Sequence, residues 1–221
     1  MFETIPPPPN RLIVFARLPE AGKVKTRLAR DLGDDRALAV YQAMLRDLLA
    51  NLGAPSAELD IEILWAPTEG ASGDALHAAF DSYPLAMQTG DTLGDRLCMA
   101  FSERFFFQRT EKVVAIGVDE PALTRALIDQ AFDLLESCDW VVGPAGDGGY
   151  YLIGCRAAAF DPAVFDGIEW GSDRVLAQTL AKIRTTVASL PLRNDIDVID
   201  DLRAYAGGGA LAALLQEWEL R

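Results

Sequence analysis

The chain has 221 residues, half of them hydrophobic, which is enough for one α/β domain with a substantial core. A disulfide-stapled miniprotein, a disordered chain and a collagen-like chain are therefore excluded. The formal net charge of −13 argues against a general nucleic-acid or anionic-membrane binder. No apolar run approaches the roughly 18 residues that a membrane span requires.

Residues 1–10 predict a flexible, proline-rich tail ahead of one domain over 11–221. The first residues carry neither a basic leader nor a hydrophobic stretch, so the sequence predicts no signal peptide. Three scattered cysteines are typical of a reducing compartment, and we expect a cytoplasmic location. The single histidine, His77, excludes a multi-histidine zinc site, and we expect it to lie on a helix without a chemical task.

Apolar runs of strand length alternate with helical patterns along the chain. Strands are predicted at 11–16, 61–65, 113–118, 140–142 and 150–153, and helices at 35–52, 92–108, 124–137 and 210–219. We expect Asp34 or Asp35 to cap the first helix, Asp91 or Thr92 the second, and Thr124 the third. The alternation predicts one α/β domain with a mostly parallel sheet and helices on both faces. Ligands of such sheets bind beyond the carboxyl ends of the strands.

A basic segment follows the first predicted strand. Residues 11–30 carry six bases and one acid, although the chain as a whole is acidic. A helical turn that we expect to begin near Thr26 adds free amides, which favour anions. The loop therefore predicts a phosphate site built from Arg17, Gly22, Lys23, Lys25, Thr26 and Arg27. It is not a Walker loop, because Val24 stands where a serine or threonine is required. A solvated basic turn is the alternative.

Two widely separated aspartates are candidates for holding a divalent cation. Asp119 ends the third long apolar run, and a proline turn follows it. Asp195 and Asp197 are two residues apart and face the same way on an extended chain, whereas Asp200 and Asp201 fit the first turn of a helix. Magnesium held partly by substrate phosphates needs few protein ligands, and Asp119 with Asp197 could supply them. Helix-entry turns and capping are the alternative roles.

Two further segments carry weaker indications of ligand binding. Asp147 could accept hydroxyl hydrogens of a sugar, while Gly148 and Gly149 let the backbone approach closely. A tight turn between two strands is the competing explanation. Trp170 could line a neighbouring pocket, although a tryptophan is more often a core residue. Arg96, in the first turn of the predicted helix 92–108, is the one residue of its segment that indicates ligand binding.

Five short motifs follow one another in a fixed order over residues 12–202. They are Pro-x-x-Gly-x-Val-Lys-Thr-Arg-Leu (19–28), Gly-Asp-x-x-Gly-x-Arg (90–96), Gly-x-Asp-x-Pro (117–121), Asp-Gly-Gly-Tyr-Tyr-Leu-Ile-Gly (147–154) and Asp-Ile-Asp (195–197). The set resembles the nucleotide-diphospho-sugar transferase superfamily of the GT-A fold. The closest resemblance is to the bacterial arsenosugar-biosynthesis-type glycosyltransferases, formerly a domain of unknown function.

The resemblance implies a single Rossmann-like GT-A domain. It implies that Arg17, Lys25 and Arg27 hold the phosphates of a nucleotide, and that Asp119 binds Mg²⁺ or Mn²⁺ with Asp197 opposite. The implied activity is a metal-dependent glycosyltransferase that uses a nucleotide-diphosphate sugar and a small-molecule acceptor, with Asp119, Lys25 and Arg27 as catalytic residues. Glu120 stands where a small residue is expected, so it either adds a ligand or marks a different metal site.

Two other functions fit the same residues. A nucleotidyltransferase would join a phosphorylated small molecule to a nucleoside triphosphate and release pyrophosphate. A non-catalytic nucleotide-binding domain would bind nucleotides with no dependence on metal. A phosphatase of the haloacid-dehalogenase type is disfavoured, because its Asp-x-Asp pair lies on an early strand and here only 24 residues follow Asp197.

Overall fold

The computed structural model describes residues 9–67, 78–80 and 83–220, so the predicted tail up to residue 8 and His77 lie outside the described residues. Within these ranges seven strands form one sheet. They are β1 (Asn10–Ala16), β2 (Leu59–Trp65), β3 (Leu85–Met87), β4 (Lys112–Ile116), β5 (Trp140–Pro144), β6 (Tyr150–Arg156) and β7 (Val187–Ser189). Their order is β3-β2-β1-β4-β6-β5-β7, and only β6 is antiparallel to its neighbours. The predicted mostly parallel sheet is confirmed.

Helices cover both faces of the sheet, as the sequence predicts. They are α1 (Thr26–Leu32), α2 (Asp34–Leu52), α3 (Leu93–Ser102), α4 (Arg125–Leu134), α5 (Val175–Lys182), α6 (Ile199–Ala204) and α7 (Gly209–Glu217). Helices α1, α2, α4, α6 and α7 pack on the core that contains Leu12 and Val14. Helices α3 and α5 pack on the second core, which contains Ile13. Because successive residues of β1 enter opposite cores, the strand is apolar from Leu12 to its end at Ala16.

Two of the three predicted helix N-caps are confirmed. Thr92 Oγ1 accepts a hydrogen bond from the Asp95 amide at 3.1 Å, and Thr124 Oγ1 accepts one from the Leu127 amide at 3.4 Å. The prediction that Asp34 or Asp35 caps α2 is wrong, because both residues already lie in its first turn. The cap position belongs to Gly33, whose φ of 81° turns the chain directly from α1 into α2.

Several boundaries differ from the predicted ones. The helix predicted to reach residue 108 ends as an α-helix at Ser102 and continues as a π-helical turn over Glu103–Phe107. Asn10, assigned to the tail, belongs to β1 and pairs with Leu59 and Lys112. The strands β3 and β7 were missed because each has only three residues at a sheet edge, which is too short for an apolar run of strand length. Among the described residues, no helix is both long and apolar enough to cross a bilayer.

Candidate active site

The topology brings the predicted phosphate-binding loop and the predicted cation-binding turn together at the carboxyl ends of the sheet's strands. Strands β1 and β4 pair directly and in parallel, so their carboxyl ends lie side by side. The basic loop leaves β1 at Arg17, and the turn that contains Asp119 leaves β4. This is the edge at which ligands of parallel α/β sheets bind.

Asp119 and Asp197 converge on the ammonium group of Lys25. Lys25 Nζ lies 2.5 Å from Asp119 Oδ1 and 3.2 Å from Asp197 Oδ1, and it donates a third hydrogen bond to the Ile196 carbonyl at 2.5 Å. The Lys25 side chain is only 4% exposed, against 51% for Asp119 and 39% for Asp197. The two carboxylates therefore reach solvent while the ammonium between them is enclosed.

Backbone and capping interactions hold Asp197 in this position. The Ile196 amide donates to the Asp119 carbonyl at 2.9 Å, and the Ile196 side chain is buried in the core. Asp201, in the first turn of α6, accepts from the amides of Asp197 at 3.0 Å and Val198 at 2.9 Å. Asp201 thus has the helix-entry role that the sequence predicts for it, and the Asp197 carboxylate faces Lys25 and Arg27 instead of capping the helix.

Tyr41 fixes the start of the basic loop and was not singled out in the sequence. Its hydroxyl accepts a hydrogen bond from the Arg17 amide at 2.8 Å and donates one to the Arg17 carbonyl at 3.0 Å. Burial strongly raises the pKa of the Tyr41 phenol. The hydrogen bond with the Arg17 backbone lowers this pKa, but its effect is smaller than that of burial, so the hydroxyl remains a neutral donor. A tyrosine in the middle of an amphipathic helix carries no signal that distinguishes this role from packing.

A cavity of about 520 Å³ opens where these segments meet. Its walls combine charged residues with apolar and aromatic side chains such as Phe15, Leu97 and Tyr150. The predicted site residues that line it are Arg17, Lys23, Lys25, Thr26, Arg27, Arg96, Asp119 and Asp197. Five cations thus face two carboxylates, and the cavity is locally cationic although the chain is acidic.

The other predicted site residues do not line this cavity. Gly22, with φ of 75°, turns the basic loop. Asp147 Oδ1 accepts from the Gly149 amide at 2.9 Å, and a Cβ on Gly148 would lie 2.1 Å from the Asp173 carbonyl oxygen. Those glycines therefore meet the needs of a tight turn between β5 and β6. Trp170 packs edge-on against Tyr150, with 6.4 Å between the ring centroids. Tyr150 lines the cavity, so Trp170 contacts a lining residue without lining the cavity itself.

Glu120 interacts with its own turn and with Arg193. Glu120 Oε1 accepts from the Ala122 amide at 2.9 Å, and Oε2 lies 3.8 Å from Arg193 Nη1. Burial raises the pKa of Glu120, while the Ala122 amide and Arg193 oppose the shift. The glutamate at this unexpected position thus serves the turn after β4, with Ala122 and Arg193 as its partners.

Asp195 is a neighbouring carboxylate that the predicted site does not include. Its Oδ1 is buried and has no hydrogen-bond partner. Burial raises the pKa of Asp195 to about 7, and the charges of Asp119, Asp147 and Asp197 act in the same direction while Lys25 opposes them. The Asp-x-Asp spacing was the available signal, because it predicts that Asp195 and Asp197 face the same way.

The residues present fit a divalent cation that shares its ligands with a substrate. Asp119 and Asp197 offer hard carboxylate oxygens within reach of one point, and the unpartnered Asp195 oxygen lies among the same charges. Over the described ranges, no group of three or more histidine, cysteine or acidic side chains is arranged to hold a metal alone. A cation held here would therefore take its remaining ligands from substrate oxygens and water, as Mg²⁺ commonly does in proteins.

Comparison with solved structures shows the class of fold. A crystal structure from Desulfovibrio desulfuricans G20, provisionally described as a nucleotide-diphospho-sugar transferase, is 33% identical and superposes with a TM-score of 0.90 over 96% of each chain. Rv0371c from Mycobacterium tuberculosis H37Rv, in complex with manganese, is 18% identical with a TM-score of 0.52 over 88% of this chain and 96% of its own. A cytidylyltransferase from Leptospira borgpetersenii is 13% identical with a TM-score of 0.55 over 96% of this chain and 95% of its own. The last two show the fold alone.

The family is shown by a sequence model as well. The model described as "Uncharacterized protein conserved in bacteria (DUF2064)" matches residues 51–172, more than half of the chain, and the protein belongs to this family. None of the curated proteins matches significantly. The predicted superfamily and single α/β domain are confirmed, and so is the expectation of a transferase enzyme.

Proposed function

We propose that the protein is a glycosyltransferase that uses a nucleotide-diphosphate sugar, a divalent cation and a small-molecule acceptor. The observation that carries this proposal is the convergence of Asp119 and Asp197 on Lys25 at the mouth of the cationic cavity. The provisional description of the 33% identical relative as a nucleotide-diphospho-sugar transferase supports it. Three free cysteines among the described residues support the cytoplasmic location proposed from the sequence.

Each group has a distinct role in the proposed reaction. Lys25, Arg27 and Arg17 bind the diphosphate, and their charges stabilise the negative charge that develops as the nucleotide leaves the sugar. Asp119 and Asp197 would hold Mg²⁺ or Mn²⁺, which when bound supplies further charge neutralisation at the diphosphate. We place the acceptor toward Tyr150, next to the turn formed by Asp147, Gly148 and Gly149, with Trp170 supporting the Tyr150 ring.

A nucleotidyltransferase is the second candidate, and the cavity charge favours it. The five cations that line the cavity exceed its two carboxylates by three before any metal is added. A nucleoside triphosphate carries more negative charge than a nucleotide-diphosphate sugar and would neutralise this excess more completely. The likeness of the fold to that of a cytidylyltransferase supports this candidate.

One experiment distinguishes the two reactions. The purified protein is incubated with a panel of nucleotide-diphosphate sugars and, separately, with nucleoside triphosphates plus sugar phosphates, each with Mn²⁺, with Mg²⁺ or with a chelator. We expect release of nucleoside diphosphate that stops with the chelator and resumes when metal is restored. Pyrophosphate release that requires a phosphorylated co-substrate would instead establish the second candidate.

Asp119→Asn tests the metal role within the same assay. Asparagine keeps the size of the side chain but removes its charge, so we expect turnover to fall by roughly 100-fold or more. Asp129→Asn is the matched control, because Asp129 is an exposed aspartate on α4 that pairs with Arg125 and does not line the cavity. Full activity in Asp119→Asn would contradict the assignment of Asp119.

A further inference from the structure

Lys25 occupies the point on which both candidate metal ligands converge. We infer that Lys25 and the divalent cation compete for the same two carboxylates, so that the cation binds tightly only together with phosphate groups that draw the ammonium away. The inference rests on the proposed function and adds an order of assembly to it. In this arrangement the metal and the nucleotide enter the site as one unit.

The ammonium of Lys25 is fully satisfied by protein oxygens. Its three hydrogen-bond donors meet three acceptors, which are Asp119 Oδ1, Asp197 Oδ1 and the Ile196 carbonyl. The side chain is also enclosed, in contrast to Lys23 of the same loop, whose side chain is 53% exposed and pairs with Glu20. Lys25 is therefore an enclosed cation of this site, whereas Lys23, which also lines the cavity, is open to solvent.

The oxygens Asp119 Oδ1 and Asp197 Oδ1 cannot serve both cations at once. A metal ion bound between these two atoms would take the place of the ammonium, because both of them contact Lys25 Nζ. Two positive charges a few ångströms apart in a partly enclosed site repel strongly. Metal binding without phosphate must therefore break the contacts of Lys25 and leave its buried charge unpaired, which is costly.

Phosphate groups in the cavity remove that cost. Lys25 lines the cavity, so rotation about its side-chain bonds carries the ammonium toward a bound diphosphate. The backbone need not move, because Lys25 already has the left-handed conformation with φ of 45° and its carbonyl accepts from the Ala29 amide at 2.9 Å. A left-handed lysine is unfavourable on its own and persists where the surrounding structure fixes it.

The first test measures Mn²⁺ affinity without any nucleotide, by the electron paramagnetic resonance of free Mn²⁺. We expect Lys25→Met to bind Mn²⁺ about 10- to 100-fold more tightly than the wild type, which is the range that corresponds to one charge-assisted hydrogen bond. Lys182→Met is the matched control, because it removes the same charge from the last turn of α5, which does not line the cavity, and its Mn²⁺ affinity should equal that of the wild type. Equal affinity in Lys25→Met and the wild type would overturn the inference.

The second test uses the native protein, so it does not depend on how a variant folds. Lysine side chains are labelled with an amine-acylating reagent during a titration with Mg²⁺ alone, and each site is quantified by mass spectrometry. Displacement of Lys25 by the metal should raise its labelling rate at millimolar Mg²⁺ while that of Lys182, which does not line the cavity, stays constant. A Lys25 rate that does not change at Mg²⁺ concentrations that saturate the metal site would contradict the competition.

The outcomes separate this inference from the proposed function. If Lys25→Met gains no Mn²⁺ affinity but the wild type still releases nucleoside diphosphate in a metal-dependent manner, the competition is refuted and the glycosyltransferase assignment stands. If Lys25→Met binds Mn²⁺ more tightly but no donor sugar is turned over, the competition is supported and glycosyl transfer is refuted.

Discussion

Arg27 and Lys25 carry the same charge in the same motif, yet the fold uses them differently. Lys25 is enclosed by three acceptors, whereas the Arg27 side chain is 64% exposed and approaches Asp197 Oδ2 only to 3.4 Å. An exposed ion pair of this kind contributes about 0–1 kcal/mol to stability. Arg27 is therefore free to serve a ligand at little cost to the fold.

Replacement of Arg27 should weaken ligand binding without unfolding the protein. We expect Arg27→Ala to reduce nucleotide affinity by about 10- to 100-fold, because a charge-assisted hydrogen bond to phosphate is worth roughly 1.5–3 kcal/mol. The free energy of unfolding should change by less than about 1 kcal/mol. Calorimetric titration and urea unfolding measure the two quantities.

Arg30→Ala is the control for this prediction. Arg30 lies on the same short helix α1, is exposed and does not line the cavity. Its loss changes the net charge equally but removes no contact with the ligand. If Arg30→Ala and Arg27→Ala weaken nucleotide binding to the same extent, the effect comes from overall charge and the phosphate role of Arg27 is wrong.

At the scale of elements, Asp47 joins the last helix to the body of the domain. Asp47 lies on α2 and is 8% exposed. Its Oδ1 accepts from the Ala210 amide at 2.6 Å, and its Oδ2 accepts from the Leu211 amide at 2.8 Å, so α7 is capped by a carboxylate of another helix. The sequence predicts helix 210–219 but not this cap, because 163 residues separate Asp47 from Ala210.

Loss of this cap should destabilise the whole domain. Asp47→Ala leaves two amides of α7 without acceptors, and we expect the free energy of unfolding to fall by about 2–4 kcal/mol. Asp47→Asn, which keeps one carbonyl acceptor, should cost less. Urea unfolding gives both values, with Asp129→Ala on the exposed face of α4 as the control. If Asp47→Ala lowered the free energy of unfolding by no more than Asp129→Ala does, α7 would be held by packing alone.

The sequence predicts the central elements better than the peripheral ones. Strands β1 and β4 are buried on both faces and therefore appear as continuous apolar runs, whereas β3 and β7 form three-residue edges without such a pattern. The helix predicted to reach residue 108 keeps its apolar spacing, but its last turn becomes π-helical and leaves Phe106 and Phe107 exposed. Local periodicity does not encode such a change of winding.

At the scale of the whole molecule, the site depends on segments that are distant in sequence. Lys25 is 94 residues from Asp119 and 172 from Asp197. The parallel pairing of β1 with β4 brings Lys25 to Asp119, and the hydrogen bond from the Ile196 amide to the Asp119 carbonyl holds the segment of Asp197 beside them. The residue types and the strand pattern predict this convergence, since parallel strands share their carboxyl edge. The enclosure of Lys25 and the contact of Tyr41 with Arg17 could not be predicted, because both depend on the packing of side chains.

A ligand held by these segments should stabilise the entire domain, because global unfolding separates all of its contacts. At a nucleotide-sugar concentration 100 times its Kd, linkage predicts about 2.7 kcal/mol of added stability, which for a chain of this size raises Tm by roughly 5–10 °C. Scanning calorimetry should show this rise with Mn²⁺ and nucleotide sugar together and a smaller rise with either alone. In Asp119→Asn the additional rise that Mn²⁺ provides should disappear, because the carboxylate that joins metal, nucleotide and β4 is gone. An equal rise with and without Mn²⁺ in the wild type would mean that the nucleotide binds through the cations alone.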